Sequence, residues 1–238
     1  MKKIVFGANE KYANLFNNFE PAVKSIPEWY KNSPQQMYEN AKTILHKDNR
    51  SMTNSTYKKC TPFLDALSSG YMIKLSADVE VSINEKTGFP SIEWRSPERE
   101  IVGLHSLNQV TGLESTGEFY ETPMKFSNDM SVIVPPGYSV LYTHPLNRID
   151  LPFHCLSGIV DADKYPLPVS FPFFLKKGFT GIIEKGTPIV QLIPFKREDW
   201  ISETKDYDET ESFLSRENFM SIINRSYKTQ WWSKKRYQ

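Results

Sequence analysis

Residues 158–165 read GIVDADKY, and two related stretches flank them. Residues 135–138, before it, read PPGY, and residues 184–192, after it, read EKGTPIVQL. Proline next to glycine, and a Glu-Lys-Gly run before β-branched residues, are typical of tight turns at strand ends. The apolar runs beside these turns are short and bounded by turn residues, as strands are. These three stretches therefore predict short strands joined by turns.

The same pattern extends through residues 61–198. Residues 72–83 alternate imperfectly, with Ile73, Leu75 and Val79 on one face, as expected of a half-buried strand. Many short strands separated by proline and glycine turns favour a barrel or sandwich. This zone is predicted to be the β core.

Two flanking zones differ from the core. Residues 1–60 combine a strand at 3–6, a helix over 9–19 and a polar stretch over 32–57 that favours a helix followed by a loop. Residues 199–238 are charged, have a helical pattern over 211–224, and end in an aromatic and basic tail. We predict a mainly β protein with an N-terminal α/β extension and a C-terminal helical tail.

Composition excludes several classes of protein. With 39% hydrophobic and 24% charged residues, the chain is an ordinary globular one. A net charge of +1 gives no overall attraction to nucleic acid or anionic membranes, and no apolar run is long enough to span a bilayer. Cys60 and Cys155 do not make a disulfide framework. We expect a cytoplasmic protein with reduced thiols.

In their order along the chain, SGYMI (69–73), PPGY, GIVDADKY and EKGTPIVQL resemble motifs of the dUTPase and dCTP deaminase superfamily. Its members carry a proline-glycine turn, a Gly-x-Ile-Asp-x-Asp-Tyr-like hairpin and a Lys-Gly-Asp-x-Ile-x-Gln-Leu strand. The resemblance covers about residues 66–196. It implies a β-clip core that commonly assembles as a homotrimer. The whole chain is also similar to uncharacterised proteins of tailed phages, which implies the host cytoplasm or the virion as its location.

The resemblance implies roles for three residues. Asp161 matches the carboxylate that meets the sugar hydroxyl and orients the attacking water, Tyr165 the ring under the sugar, and Gln191 the glutamine of the Gln-Leu strand. One extra residue, Lys164, separates Tyr165 from the expected spacing. From the residues alone, 161–165 equally fits an Asp-rich hairpin turn, so both interpretations stay open.

The departures from the family argue against its chemistry. Met72 stands where the family has a metal-associated aspartate, and a thioether does not bind Mg²⁺. Residues 143–148 read THPLNR in place of an Arg-Ser-Gly phosphate motif, and the glycine-rich C-terminal motif is absent from the sequence. Phosphoryl transfer depends on such positioning groups. We therefore expect no ordinary dUTP hydrolysis, and assign no catalytic residue and no cofactor.

Other side chains could replace the lost phosphate contacts. His144, Asn147 and Arg148 form a candidate polar and cationic cluster, and the Arg148 fork suits phosphate. The alternative is an ion pair of Arg148 with Asp150 or another carboxylate. A metal site built on the histidines is not predicted, because no pair has close metal-ligand spacing. The tail WWSKKRY (231–237) could stack a base, but docking on a neighbouring subunit is favoured.

These observations lead to one functional hypothesis and its alternatives. We expect a phage-type protein, more a binder than an enzyme, that binds or sequesters a nucleotide or nucleotide-like phosphate ligand and associates with copies of itself. A structural or assembly protein of the phage particle is the main alternative. A divergent nucleotide hydrolase or deaminase is the other, since Asp161 and Gln191 are retained.

Overall fold

The computed structural model describes residues 2–35, 56–96, 99–113, 117–206 and 227–238. The helix predicted over residues 211–224 and most of the polar stretch over 32–57 lie outside these ranges. The described strands, in chain order, are β1 (Val5–Ala8), β2 (Phe19–Pro21), β3 (Tyr71–Lys74), β4 (Val79–Ile83), β5 (Pro90–Trp94), β6 (Val102–Leu104), β7 (Met124–Phe126), β8 (Met130–Ile133), β9 (Tyr138–Thr143), β10 (Phe153–Cys155), β11 (Gly158–Val160), β12 (Phe171–Leu175), β13 (Gly181–Ile183) and β14 (Pro188–Lys196).

Helices are short. The α-helices are α1 (Glu28–Asn32) and α2 (Thr61–Ser68); 3₁₀ helices cover Glu10–Asn18, Ala22–Ser25, Tyr57–Lys59 and Leu107–Val110, and one π turn covers Tyr227–Trp231. In the part of the chain that the structure describes, no helix combines the length and apolarity that crossing a bilayer requires.

The strands form several antiparallel sheets. The largest has the order β11-β9-β14-β3-β2, a second has the order β10-β12-β7-β6, a third β13-β4-β5, and β1 pairs with β8. The prediction of a mainly β chain is therefore confirmed. The barrel form of that prediction is wrong for the described strands: the largest sheet keeps two separate edges, β2 and β11, instead of closing on itself.

The core lies between these sheets. Along β12, Phe171, Phe173 and Leu175 are buried while the residues between them are less so, which is the alternation expected of a strand with one face on the core. The rings of Phe126 and Phe173 stack with centroids 4.0 Å apart, and Phe153 meets Phe126 edge-on at 5.1 Å. Each such side chain contributes about 1.5–3 kcal/mol on burial, so this aromatic layer, whose three rings lie in β7, β10 and β12, stabilises the second sheet.

The N-terminal strands belong to sheets formed with the second zone. β1 pairs with β8, and β2 pairs with β3 at the edge of the largest sheet. The predicted helix over residues 9–19 is a 3₁₀ helix with a non-helical break at Tyr12. Its N-cap is Asn9, whose side chain accepts a hydrogen bond from the backbone N–H of Lys11 at 3.1 Å.

The described end of the tail contacts α2 and β3 of its own chain. Trp232 Nε1 and Lys235 Nζ both donate to Asp65 Oδ2, at 2.8 and 2.6 Å. The hydroxyl of Tyr71 donates to the backbone oxygen of Gln238 at 3.2 Å. Docking of this tail on a neighbouring subunit stays a prediction.

Candidate functional site

The Asp161–Tyr165 segment, called the hairpin below after the motif that it matches, is a turn at the end of β11. Of the described strands, only β9 pairs with β11, and the next strand, β12, lies in another sheet. β11 runs antiparallel to β9, with Val160 opposite Val140, and the chain then turns. The carbonyl oxygen of Asp161 accepts hydrogen bonds from the backbone N–H groups of Lys164 and Tyr165, at 2.8 and 2.9 Å. Ala162 is buried within the turn. The turn interpretation of this motif is thus correct, and it leaves a ligand role for its side chains open.

Only one of the two carboxylate oxygens of Asp161 contacts described residues. Its Oδ1 accepts a hydrogen bond from Ser139 Oγ at 2.7 Å and lies 3.1 Å from Arg197 Nη1. Its Oδ2 accepts no hydrogen bond from a described residue, and the side chain is 50% exposed. The hydrogen bond from Ser139 and the charges of Arg197 and Lys164 lower the pKa of the Asp161 carboxyl. Asp161 is therefore an oriented, ionised acceptor with one oxygen available.

Asp163 fixes the hairpin to the proline-glycine turn. Its carboxylate accepts a hydrogen bond from the Gly137 N–H at 2.8 Å and forms a two-pronged ion pair with the Arg197 guanidinium. These hydrogen bonds, that from Arg197 foremost, lower the pKa of Asp163 to about 2. Arg197 Nη1 also donates to the Tyr138 carbonyl at 2.8 Å. The Arg197–Asp163 pair is the structural anchor that sets the position of Asp161.

Tyr165 and Lys164 lie at the outer end of the hairpin. Tyr165 is 45% exposed, and its ring makes no aromatic or cation–π contact with any residue in the described ranges. Lys164 is exposed as well. An exposed ring beside an ionised carboxylate and a cation offers stacking, hydrogen-bond acceptance and positive charge within one turn.

Gln191 occupies a different position, in the interior. It is fully buried in β14, and its Oε1 accepts a hydrogen bond from the Leu146 N–H at 2.9 Å. Its Nε2 donates to the carbonyl oxygens of Ala66 and Ser69, at 2.8 and 2.7 Å. All of its amide groups are thus used in joining α2 to the loop after β9. A ligand role for Gln191 stays a prediction, and it would require these bonds to break.

Arg148 forms an ion pair with Asp150, which was the alternative to a phosphate-binding role. Its Nε donates to both carboxylate oxygens of Asp150, at 2.9 and 3.1 Å, and its Nη2 donates to Oδ2 at 2.8 Å. Its side chain is 10% exposed. Burial opposes ionisation of Asp150, but Arg148 lowers the pKa of this carboxyl. This guanidinium is therefore largely committed to a structural partner, and a phosphate role for it stays a prediction.

His144 and Asn147 support the same loop. The His144 ring bonds to the Arg148 carbonyl through Nε2 at 3.0 Å and accepts from the Cys155 N–H through Nδ1 at 3.4 Å. Burial lowers the pKa of His144 to about 4, so the ring is neutral near pH 7. Asn147 is exposed and has φ of 60°, the left-handed conformation that asparagine tolerates. In this loop His144 supplies no positive charge.

The structure separates the two halves of the predicted cleft. Asp161 contacts Ser139 near the start of β9, whereas His144 follows the last residue of that strand. At about 3.3 Å per residue, the two ends lie roughly 16 Å apart. A ligand shared by the hairpin and the loop at residues 144–148 would have to span this distance, and a common cleft stays a prediction.

Sequence reasoning missed Ser139 and Arg197. Ser139 directly follows PPGY at 135–138, and Arg197 lies five residues after EKGTPIVQL at 184–192, just beyond the end of β14. The pairing of β9 with β14, in which Ser139 lies opposite Phe195, brings them together. No local pattern signals that pairing.

The histidines show one close pair. The ring centroids of His144 and His154 are 4.6 Å apart. Within the described ranges, no group of three or more His, Cys, Asp or Glu side chains is arranged to hold a metal ion.

No protein-family model matches the chain, and no curated protein matches it either. The dUTPase-like interpretation therefore rests on the quoted motifs.

Proposed function

We propose that this protein binds a nucleotide or nucleotide-like phosphate ligand at the Asp161–Tyr165 hairpin, on a dUTPase-like core, and lacks ordinary dUTPase chemistry. The supporting observation is the state of Asp161: a half-exposed carboxylate, fixed by Ser139 and Arg197 through one oxygen, with the other oxygen unengaged by the described residues. Sequestration of nucleotides or nucleotide signals by a phage-encoded protein is the biological role that we infer.

Each ligand group has a partner in this arrangement. The available oxygen of Asp161 accepts a hydrogen bond from a sugar hydroxyl, and the ionised state makes that bond stronger than a neutral one. The exposed face of Tyr165 stacks on the sugar or base, a contact of about 1–3 kcal/mol. Lys164 provides positive charge for a phosphate. Binding at an exposed turn of this kind needs no large rearrangement of the core.

The same geometry opposes hydrolysis. A general base works best with a pKa near the operating pH, and the hydrogen bond from Ser139 together with Arg197 moves the pKa of Asp161 downward, away from neutrality. Met72 is buried in β3 and carries no oxygen ligand. The carboxylate thus serves as a hydrogen-bond acceptor better than as a base for water.

A binding screen with matched variants tests the proposal. Deoxynucleotides, ribonucleotides and cyclic nucleotides are screened by thermal shift, and any ligand found is titrated calorimetrically into Asp161→Asn, Asp161→Ala and Tyr165→Ala. Tyr165→Ala should weaken binding about 5- to 150-fold, and Asp161→Ala should weaken it more than Asp161→Asn. Asp199→Asn, an exposed carboxylate outside the hairpin, is the control.

Two results would count against this function. An unchanged Kd in Asp161→Ala and Tyr165→Ala would place the ligand elsewhere. Steady release of pyrophosphate from dUTP, abolished by Asp161→Asn, would instead indicate the divergent hydrolase. Because both side chains are exposed, neither substitution should prevent folding.

A second candidate, an assembly role in the phage particle, is favoured by one observation. Trp200 and Ile201 are adjacent and almost fully exposed, at 86% and 96%. Exposed apolar side chains side by side mark contact surfaces more often than isolated ones do. The double substitution Trp200→Ser with Ile201→Ser should lower the oligomer mass in sedimentation experiments if this surface joins copies of the chain.

A further inference from the structure

The last described segment of the chain, residues 227–238, differs in charge from the protein as a whole. It contains four cations, Lys228, Lys234, Lys235 and Arg236, and no aspartate or glutamate. The net charge of the whole chain is only +1, so positive charge is concentrated here. A basic segment of this kind attracts anionic partners.

Three side chains fix this segment to the body of the same chain. Trp232 and Lys235 donate to the carboxylate of Asp65 on α2, at 2.8 and 2.6 Å. The Tyr237 ring meets the Tyr71 ring edge-on, with centroids 5.9 Å apart. Trp232 and Tyr237 are half-buried in these contacts. The segment is thus held in place before any partner binds, which lowers the entropy that binding costs.

Five other aromatic and basic side chains of the segment face solvent. Trp231 is 55% exposed and Tyr227 is 39% exposed. Lys228, Lys234 and Arg236 are exposed as well, and none of these three cations forms an ion pair with a described residue. We call these five residues the outward group. It offers two rings and three cations that no described acidic side chain neutralises.

The outward group matches the two chemical features of single-stranded nucleic acid. Unpaired bases stack on exposed aromatic rings, and the phosphates between them attract lysine and arginine. All three cations of the outward group lie within five residues of Trp231 in the chain. A duplex is a poorer match, because its bases are already stacked on one another. An anionic membrane is a poorer match as well, because clusters of about 4–8 cations are typical of lipid binding.

We propose that the outward group is a binding surface for single-stranded nucleic acid. Trp231 stacks on a base, and the three cations of the group contact phosphates. The hydrogen bonds of Trp232 and Lys235 to Asp65 keep the surface in position. Because stacking and backbone charge do not depend on base identity, binding tolerates many sequences and weakens as the salt concentration rises.

This surface goes beyond the proposed function and uses none of its residues. The segment contacts Asp65 on α2 and Tyr71 on β3, whereas the hairpin follows β11. β9 and β14 lie between β11 and β3 in the sheet, which separates these two strands by roughly 14 Å. Substitutions in the hairpin therefore report on one site, and substitutions in the outward group report on the other.

Fluorescence anisotropy of labelled oligothymidylate and oligouridylate, titrated with the full chain, tests this surface and compares DNA with RNA. Trp231→Ala should weaken binding about 5- to 150-fold, because stacking on its ring is lost. Trp200→Ala removes a tryptophan that is 86% exposed outside the segment, and it should leave the Kd unchanged. Tyr165→Ala should also leave this Kd unchanged, which separates the test from that of the proposed function.

The salt dependence of binding counts the phosphate contacts. At about −0.7 per contact with a single strand, three cations should give a slope of about −2 in a plot of log Kobs against log salt concentration. The double substitution Lys234→Gln with Arg236→Gln should reduce this slope to about −0.7. Lys177→Gln, which removes an exposed lysine outside the segment, should leave the slope unchanged.

Three results would overturn this surface. One is the absence of an anisotropy change with either oligonucleotide. Another is an equal Kd for Trp231→Ala and Trp200→Ala, which would mean diffuse attraction to surface charge without stacking. The third is binding to vesicles of phosphatidylserine and phosphatidylcholine with none to the oligonucleotides, which would make the partner an anionic membrane. All the substituted side chains are exposed, so these variants should fold.

Discussion

Replacing Gln191 by methionine isolates the hydrogen bonds of one buried side chain. Methionine keeps the length and nearly the volume of glutamine but neither donates nor accepts strong hydrogen bonds. The amide makes three bonds, to the Leu146 N–H and to the Ala66 and Ser69 carbonyls. At a net contribution of about 0.5–1.5 kcal/mol each, their loss should destabilise the fold by about 1.5–4.5 kcal/mol.

The upper half of this range is expected. Gln191 itself is fully buried, so the backbone groups that it leaves behind are poorly placed to bond with water, and unsatisfied groups cost more than the bonds contribute. For a chain whose total stability is about 5–15 kcal/mol, a loss of about 3 kcal/mol is a large fraction.

Urea unfolding followed by tryptophan fluorescence measures this loss. With an m-value of about 3 kcal/mol/M, a loss of about 3 kcal/mol lowers the urea midpoint by about 1 M. Gln109→Met, at an exposed position of a 3₁₀ helix, is the matched control and should stay within about 0.5 kcal/mol. Both variants are compared at one protein concentration, because oligomers unfold with concentration-dependent midpoints. If Gln191→Met moves the midpoint no further than Gln109→Met, the amide does not join α2 to the loop as described.

Three further predictions concern the loop at residues 144–148. A double-mutant cycle of Arg148→Ala and Asp150→Ala should give a coupling energy of about 0.5–3 kcal/mol, and additive effects in urea unfolding would disprove the ion pair. Asn147→Ala should cost about 1 kcal/mol more than Asn147→Gly, because φ is 60° there; equal midpoints would contradict this. Burial lowers the pKa of His144 from 6.5 to about 4, so its stabilising contribution is complete above pH 6.5 and is lost as the pH falls towards 4. His144→Asn should therefore lose less stability than the wild type between pH 7.5 and pH 5, whereas parallel pH profiles would assign the effect to other groups.

Local signals in the sequence predicted the β character and the turns, because turn residues and apolar runs act over a few neighbours. The turns at Gly137 and after Asp161 are examples, and both occur where the pattern puts them. The sequence did not predict that Glu10–Asn18 would be a 3₁₀ helix and not an α-helix. Its apolar residues have helical spacing, but the backbone dihedrals of Tyr12 depart from helical values.

The candidate sites were harder to predict, because they depend on partners far away in the chain. Gln191 matches a motif, yet its partners include Ala66 and Ser69, which only the pairing of β14 with β3 brings near. A motif identifies a residue type at a spacing, whereas burial and partners decide what the side chain is free to do.

The order of strands in the largest sheet has a consequence for how the protein matures on the ribosome. β3 lies between β2 and β14, and roughly a hundred residues separate β3 from β14 in the chain, so at about 5–20 residues per second β3 waits about 5–20 s for that neighbour. Tyr71, Met72 and Ile73 are buried in the finished sheet. During this interval their side chains stay exposed, because β14 has not yet been synthesised. The nascent chain should therefore require chaperone protection in its middle phase of synthesis and should fold slowly once released, as sheets made from distant strands do.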